Sequence, residues 1–192
     1  MSENESGDEP VVDVGDAWAT ELQRNREEKD EFLDEHRQSP IPPEKRDEFD
    51  GLAYYDPDPA YRVAATVHVE DDPEEVELET SDGRTVSYHR IYRFEFELGD
   101  TSHELAGYKQ AEDDSVFVPF RDKTTGQQTY KDGRYMDLEP DGELRDGDRI
   151  ALDFNLAYSP FCAYSDTFSC PLPPEENWLE TTVEAGERKP PV

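Results

Sequence analysis

Residues 86–98 read VSYHRIYRFEFEL. Val86, Tyr88, Arg90, Tyr92, Phe94, Phe96 and Leu98 take every second place, while Ser87, His89, Arg93, Glu95 and Glu97 fill the opposite face. A period of two with one dry and one wet face marks a strand of an antiparallel sheet. Upstream, Val63, Ala65, Val67 and Val69 alternate with Arg62, Thr66, His68 and Glu70, and Val76 and Leu78 alternate with Glu77 and Glu79. SDGR (81–84) then reads as a hairpin turn. Downstream, HELAGYKQ (103–110), SVFVPF (115–120), RYMDL (134–138), RIALDFNLA (149–157) and WLETTVEAG (178–186) continue as strands. Asp132-Gly133, Asp141-Gly142 and Asp146-Gly147 supply turns. Successive short strands with no long helix between them predict a mainly β fold, an antiparallel sandwich or a barrel-like sheet.

Ahead of the strands the period changes. Trp18, Leu22, Lys29, Phe32, Leu33 and His36 fall near one helical face, with RNREEKDE (24–31) as the wet side. Asp16 is placed to cap this helix, and SPIPPEK (39–45) stops it, because the prolines after Ile41 cannot continue it. Trp18 and Phe32 read as residues that dock the helix on the sheet. Residues 1–13 are expected to be a disordered acidic tail, and residues 14–192 a single β-rich domain carrying the N-terminal helix.

The chain has 33% apolar residues and a mean hydropathy of -1.00, so the core must rest on large side chains, here 10 Tyr, 9 Phe and 2 Trp. Asp and Glu number 49 against 19 Lys and Arg, a formal charge of -30. High charge with low hydropathy is a signature of disorder. The acids, however, are spread between alternating apolar residues, and arginine outnumbers lysine, which fits a folded chain from a salt-rich cytoplasm where repulsion is screened. No basic patch exists to release counterions from nucleic acid or an anionic membrane, so both are excluded as partners. The first residues lack a basic, apolar leader, and no apolar run reaches membrane length, so a cytoplasmic location is expected.

Phosphate loops, dinucleotide fingerprints, zinc helices and serine elbows are absent, so no cofactor or reaction class is indicated. Cys162 and Cys170 admit three readings: free thiols, a disulfide, or metal ligands. A reducing cytoplasm favours free thiols, then the disulfide, and the four histidines are too remote in sequence to complete a metal site. FRDKTTGQQTYKDGRY (120–135) is dense in turn builders and reads as a structured connection. Its functional reading has Arg134 clamping an anion, since a guanidinium is a planar fork for carboxylate or phosphate. In RIALDFNLAY (149–158), period two puts Asp153 and Asn155 together on one face. Asp122, Arg134, Tyr135, Asp153, Asn155 and Tyr158 are therefore the candidate ligand-binding residues, expected to gather at one end of the sheet around a small molecule, with Arg134 suited to an anion. A buried Arg134 needs a carboxylate, Asp122 or Asp153. The alternative is a non-catalytic structural or protein-interaction module, and no protein partner is indicated.

PFRDKTTGQQTYKDGRYMDL, DFNLAYSPFCAYSDTFSCPLPPEENWL and EAGER resemble the family called domain of unknown function 1684, over a span from about Trp18 to Glu187. Ser159 stands where that family more often has asparagine, and Trp178 where arginine is frequent. The resemblance implies a shared fold, and it implies no activity.

Overall fold

The computed structural model describes residues 14–191; the expected acidic tail, residues 1–13, lies outside them. Strands β1 (Arg62–Glu79), β2 (Thr85–Leu98), β3 (Thr101–Lys109), β4 (Val116–Phe120), β5 (Arg134–Leu138) and β6 (Arg149–Asp153) form one antiparallel sheet in the order β5-β4-β3-β2-β1-β6. It curls into a half-barrel, the barrel-like form of the expected architecture. Tyr158, just past β6, bridges to Tyr135 of β5, so the two edges of the curl are brought together.

The alternation in β2 is realised: Tyr92, Phe94, Phe96 and Leu98 are buried against Val67 of β1, Leu105 of β3, Val118 and Phe120 of β4 and Leu152 of β6. Phe154 sits at the centre, 5.5 Å from the rings of both Phe96 and Phe120. Each aromatic ring of this size removes roughly 150–250 Å² from water, which is how a chain so poor in aliphatics holds a core. In β1 the inward residues are odd-numbered up to Val69 and even-numbered from Val76. The pairing explains this: between the Val69–Tyr92 and Glu74–Arg90 pairs, β1 advances five residues while β2 advances two. An odd surplus bulges out and flips the faces.

Helix α1 (Asp16–Glu35) begins one residue earlier than expected: Gly15 is the N-cap, and Asp16 lies in the first turn, where its charge still suits the helix dipole. The helix stops before Ser39, and Pro43 opens a separate single turn, Pro43–Arg46. Trp18 docks the start of α1 by donating its indole N–H to Asp153 at 2.7 Å. Leu33 docks its end in a second small core with Ile41, Phe49 and Tyr164. Among the described residues, no helix is long and apolar enough to cross a membrane.

Two strand expectations fail for physical reasons. β6 stops at Asp153, whose carboxylate accepts the Asn155 N–H at 3.0 Å and turns the chain into a 3-10 turn, Phe154–Leu156. Phe154 is buried and Leu156 is 48% exposed, so period two has ended there. The expected strand at 178–186 is not a strand. Its start runs beside Arg121, with Leu179 N–H donating to Arg121 C=O at 2.7 Å. Beyond Thr181 it finds side chains where a neighbouring strand would be.

Candidate functional site

Those side chains belong to Asp122 and Arg134. Asp122 follows β4, and its carboxylate accepts from the Val183 N–H at 2.7 Å, the Thr124 N–H at 3.2 Å and the Thr124 and Thr125 hydroxyls. Arg134 opens β5 and donates to the carbonyls of Val183 at 2.9 Å, Glu187 at 3.2 Å and Ala185. The two residues pair at 3.5 Å, with side-chain exposures of 1% and 0%. Arg134 thus has its expected carboxylate, Asp122, and the pair serves as the missing edge for residues 183–187. Burial pulls the guanidinium down from its ordinary pKa, and Asp122 is the strongest influence holding it up. Gly133 makes the approach possible: it has φ +94, and a Cβ there would lie 2.7 Å from the Phe120 carbonyl. Tyr135 is buried beside them and donates its hydroxyl to the Pro171 carbonyl, pinning the cysteine loop.

Asp153 and Asn155 do not join Arg134. The cation on Asp153 is Arg62, at 3.1 Å. Asn155 clamps both backbone groups of Asp58, accepting its N–H and donating to its C=O, each at 2.9 Å. The six candidates therefore divide. Asp122, Arg134 and Tyr135 lock the sheet's edge, whereas Asp153, Asn155 and Tyr158 face α1. The segment ending at Glu187 connects the two groups, since Arg134 holds its backbone while its side chain turns toward the helix.

Between α1 and residues 155–158 lies a cleft of about 160 Å³, lined by Leu22, Asn25, Arg26, Lys29, Tyr54, Asn155, Tyr158 and Glu187 among others. Spacings of three and four put Leu22, Asn25, Arg26 and Lys29 on one side of the helix. RNREEKDE is therefore not uniformly wet, because Arg26 is 8% exposed. Arg26 stacks on the Tyr54 ring, 4.4 Å from its centroid, and donates one Nη1 hydrogen to the Tyr55 carbonyl at 2.9 Å. Its Nε and Nη2 are buried without a partner, and so is the Tyr54 hydroxyl. Lys29 pairs with Glu187 and lies 4.8 Å above the Tyr158 ring. Glu187, 2% exposed, also accepts from the Ser159 N–H at 3.2 Å and the Tyr164 hydroxyl at 3.4 Å. Burial, then Glu187 and Asp30, raise the Tyr54 hydroxyl far above its ordinary pKa, so it is a donor at any physiological pH. Burial also lowers Arg26, opposed first by Tyr54 and then by Asp153, Asp56 and Glu187.

The cleft gathers two cations, one carboxylate and several free donors. Sequence reading named Asn155 and Tyr158 as candidates but expected them beside Arg134, and it did not name Arg26, Lys29, Tyr54 or Glu187 as site residues. Hydropathy assigns charged residues outward. The available signal was Arg26 lying four places after Leu22 and seven before Leu33, on the helix's own dry side.

Residues 47–188 match the family described as "Protein of unknown function (DUF1684)". The chain belongs to that family. A solved relative is the solution NMR structure of an uncharacterized protein from Haloarcula marismortui, 67% identical, with 90% of this chain and 94% of that one covered at a TM-score of 0.73. No curated protein matches the chain. The DUF1684 match contains Tyr54, Asp122, Arg134, Asn155, Tyr158 and Glu187 but begins after α1, which supplies Arg26 and Lys29. The cationic wall of the cleft thus comes from outside the matched residues.

Proposed function

We propose that this DUF1684 protein binds a small carboxylate-bearing monoanion in the cleft between α1 and residues 155–158. One observation carries the reading. Arg26 keeps Nε and Nη2 unpartnered while 8% exposed. Those two N–H groups form one side of the guanidinium fork, the geometry that receives both oxygens of a carboxylate. A buried donor left without an acceptor costs about 1–3 kcal/mol, so a guest with acceptor oxygens is favoured there. The Tyr54 hydroxyl adds a third donor. The charges of Arg26 and Lys29 against Glu187 sum to one positive charge, which suits a monoanion. The volume, about 160 Å³, equals roughly five waters at liquid density and suits a guest that places a few heavy atoms inside.

The acidic surface is read as an adaptation to salt. Its support is the charge of -30 and the 67% identical protein from Haloarcula marismortui. Titration of the full chain with formate, acetate and glycolate, followed by the Arg26 Nε–H resonance, tests the binding reading. A saturable shift that Arg26→Met removes from the neighbouring Tyr54 and Asn155 signals is expected. If none of the three acids gives a saturable shift in the parent chain, the reading fails.

A further inference from the structure

The loop 159–173 carries both cysteines; it touches the carboxylate cleft only through the bonds of Ser159 and Tyr164 to Glu187, and its cysteines do not line the cleft. Cys170 is 8% exposed and its sulfur accepts the backbone N–H of Cys162 at 3.3 Å. Cys162 is half-buried, and its sulfur lies 3.6 Å from the Tyr130 hydroxyl, which also contacts Asp132 at 3.1 Å. Both thiols are free, on a loop held at its far end: Cys170 C=O accepts from Ser81 N–H at 2.9 Å, and Leu172 N–H donates to Glu79 C=O at 2.7 Å. Cys162 is therefore the more exposed of the two residues, and the sulfur of Cys170 is fixed beside the Cys162 backbone.

We propose that Cys162 and Cys170 form a peroxide-reactive dithiol, with Cys162 the attacking and Cys170 the resolving residue. The Cys162 thiolate attacks one peroxide oxygen. The S–O bond forms, the O–O bond breaks, hydroxide leaves, and the sulfur is oxidised by two electrons to a sulfenic acid while the peroxide is reduced. The Cys170 thiol then loses its proton, and its sulfur attacks that of Cys162. The S–S bond forms, the S–O bond breaks, and water departs. The N–H contact fits this order, because it places the Cys170 sulfur at the base of the Cys162 side chain, where rotation about Cα–Cβ brings the two sulfurs together. The electrostatics agree. Hydrogen bonds from Cys170 first and Tyr130 next bring the Cys162 thiol down to about 6, and the same contact with Cys162 pushes Cys170 up. At neutral pH, Cys162 is therefore the thiol of the pair that is richer in thiolate.

The full chain is treated with hydrogen peroxide at neutral pH, quenched, denatured and alkylated, and its intact mass is measured. The expected product is a monomer that has lost two hydrogens and takes up no alkylating groups, and that takes up two after reduction. Cys170→Ser should stop at a sulfenic acid trapped by a cyclic diketone, and Cys162→Ser should leave Cys170 alkylatable. Alkylation of native Cys162 should rise through pH values near 6. Two alkylatable thiols in the parent after peroxide, or oxidation only to a disulfide-linked dimer, would overturn the proposal.

Discussion

Arg134→Met removes the charge and fork of Arg134 and keeps most of its apolar stem over the Phe120 ring, 5.3 Å from the guanidinium carbon. In the parent, this side chain donates to three carbonyls of residues 183–187 and pairs with Asp122. Removing one member of a buried ion pair costs about 3–5 kcal/mol, because the other charge stays buried. Asp122 keeps its bonds from Val183, Thr124 and Thr125, which holds the charge-burial part at the low end. The three carbonyls add to it wherever water cannot reach them. For a chain of this size, 1 kcal/mol moves the melting temperature by about 2–4 °C, so the variant should melt roughly 6–20 °C below the parent. Thermal unfolding followed by circular dichroism measures this. Arg134→Lys should recover only part, since one ammonium cannot span three carbonyls. Adding Asp122→Asn to Arg134→Met should cost less than the sum of the single changes, because it removes the orphaned charge. A melting temperature for Arg134→Met within about 2 °C of the parent would refute the assignment of Arg134 to the fold.

Asn177 is fully buried where β3 and β4 part, and its amide bonds the N–H and C=O of Ala106 and the C=O of Pro119. Asn177→Ala should lower stability by about 3 kcal/mol, read as a drop in the denaturant midpoint at unchanged slope. Burial raises the pKa of Tyr108, Tyr135 and Tyr164, so the folded chain keeps protons that the unfolded chain gives up above pH about 10. Stability is thus full below that pH and falls beyond it by about 1.4 kcal/mol per pH unit for each such tyrosine. Phenolate absorbance from these rings should therefore appear together with unfolding, and titration ahead of unfolding would contradict this. If the charge of -30 is tuned to salt, the melting temperature should climb from dilute buffer to molar potassium chloride, and a flat series would dispose of the idea.

The sheet was legible because burial alternates along its strands: Tyr92, Phe94, Phe96 and Leu98 needed no partner to be named as one face. The helix was legible for the same reason, through Leu22 and Leu33. The stretch 178–186 misled because extended chain and alternating apolar residues do not require a strand neighbour. Here the backbone groups of Val183, Ala185 and Glu187 are met by Asp122 and Arg134, and that pairing joins residues 49 to 61 places apart. Asp153 and Asn155 were correctly placed side by side, although a 3-10 turn, not a pleat, brings them together. Most of the cleft was not legible. Its floor and wall are Arg26, Tyr54 and Glu187, polar groups turned inward, and only their burial reveals them.

If the chain works in strong salt, as proposed above, the placement of its cations gives a reason for that inward turn. On a surface in strong salt a lysine or arginine gains little from nearby acids, since screening is nearly complete over a few ångströms. In a dry interior the same charge is unscreened, and a guanidinium can satisfy several acceptors at once. With 19 cations among 49 acids, the chain places several where they act that way: Arg134 on three carbonyls, Arg62 on Asp153, Lys29 on Glu187 and Arg26 on Tyr55. Arg62, Arg90 and Arg134 each leave only Nε buried without a hydrogen bond, whereas Arg26 leaves Nε and Nη2 together. A guanidinium whose role was to brace the backbone would turn both toward the carbonyls of residues 52–58. Arg26, which lines the cleft, gives one hydrogen to that segment and leaves the adjacent pair buried without a partner, and that is the side of the fork a carboxylate needs.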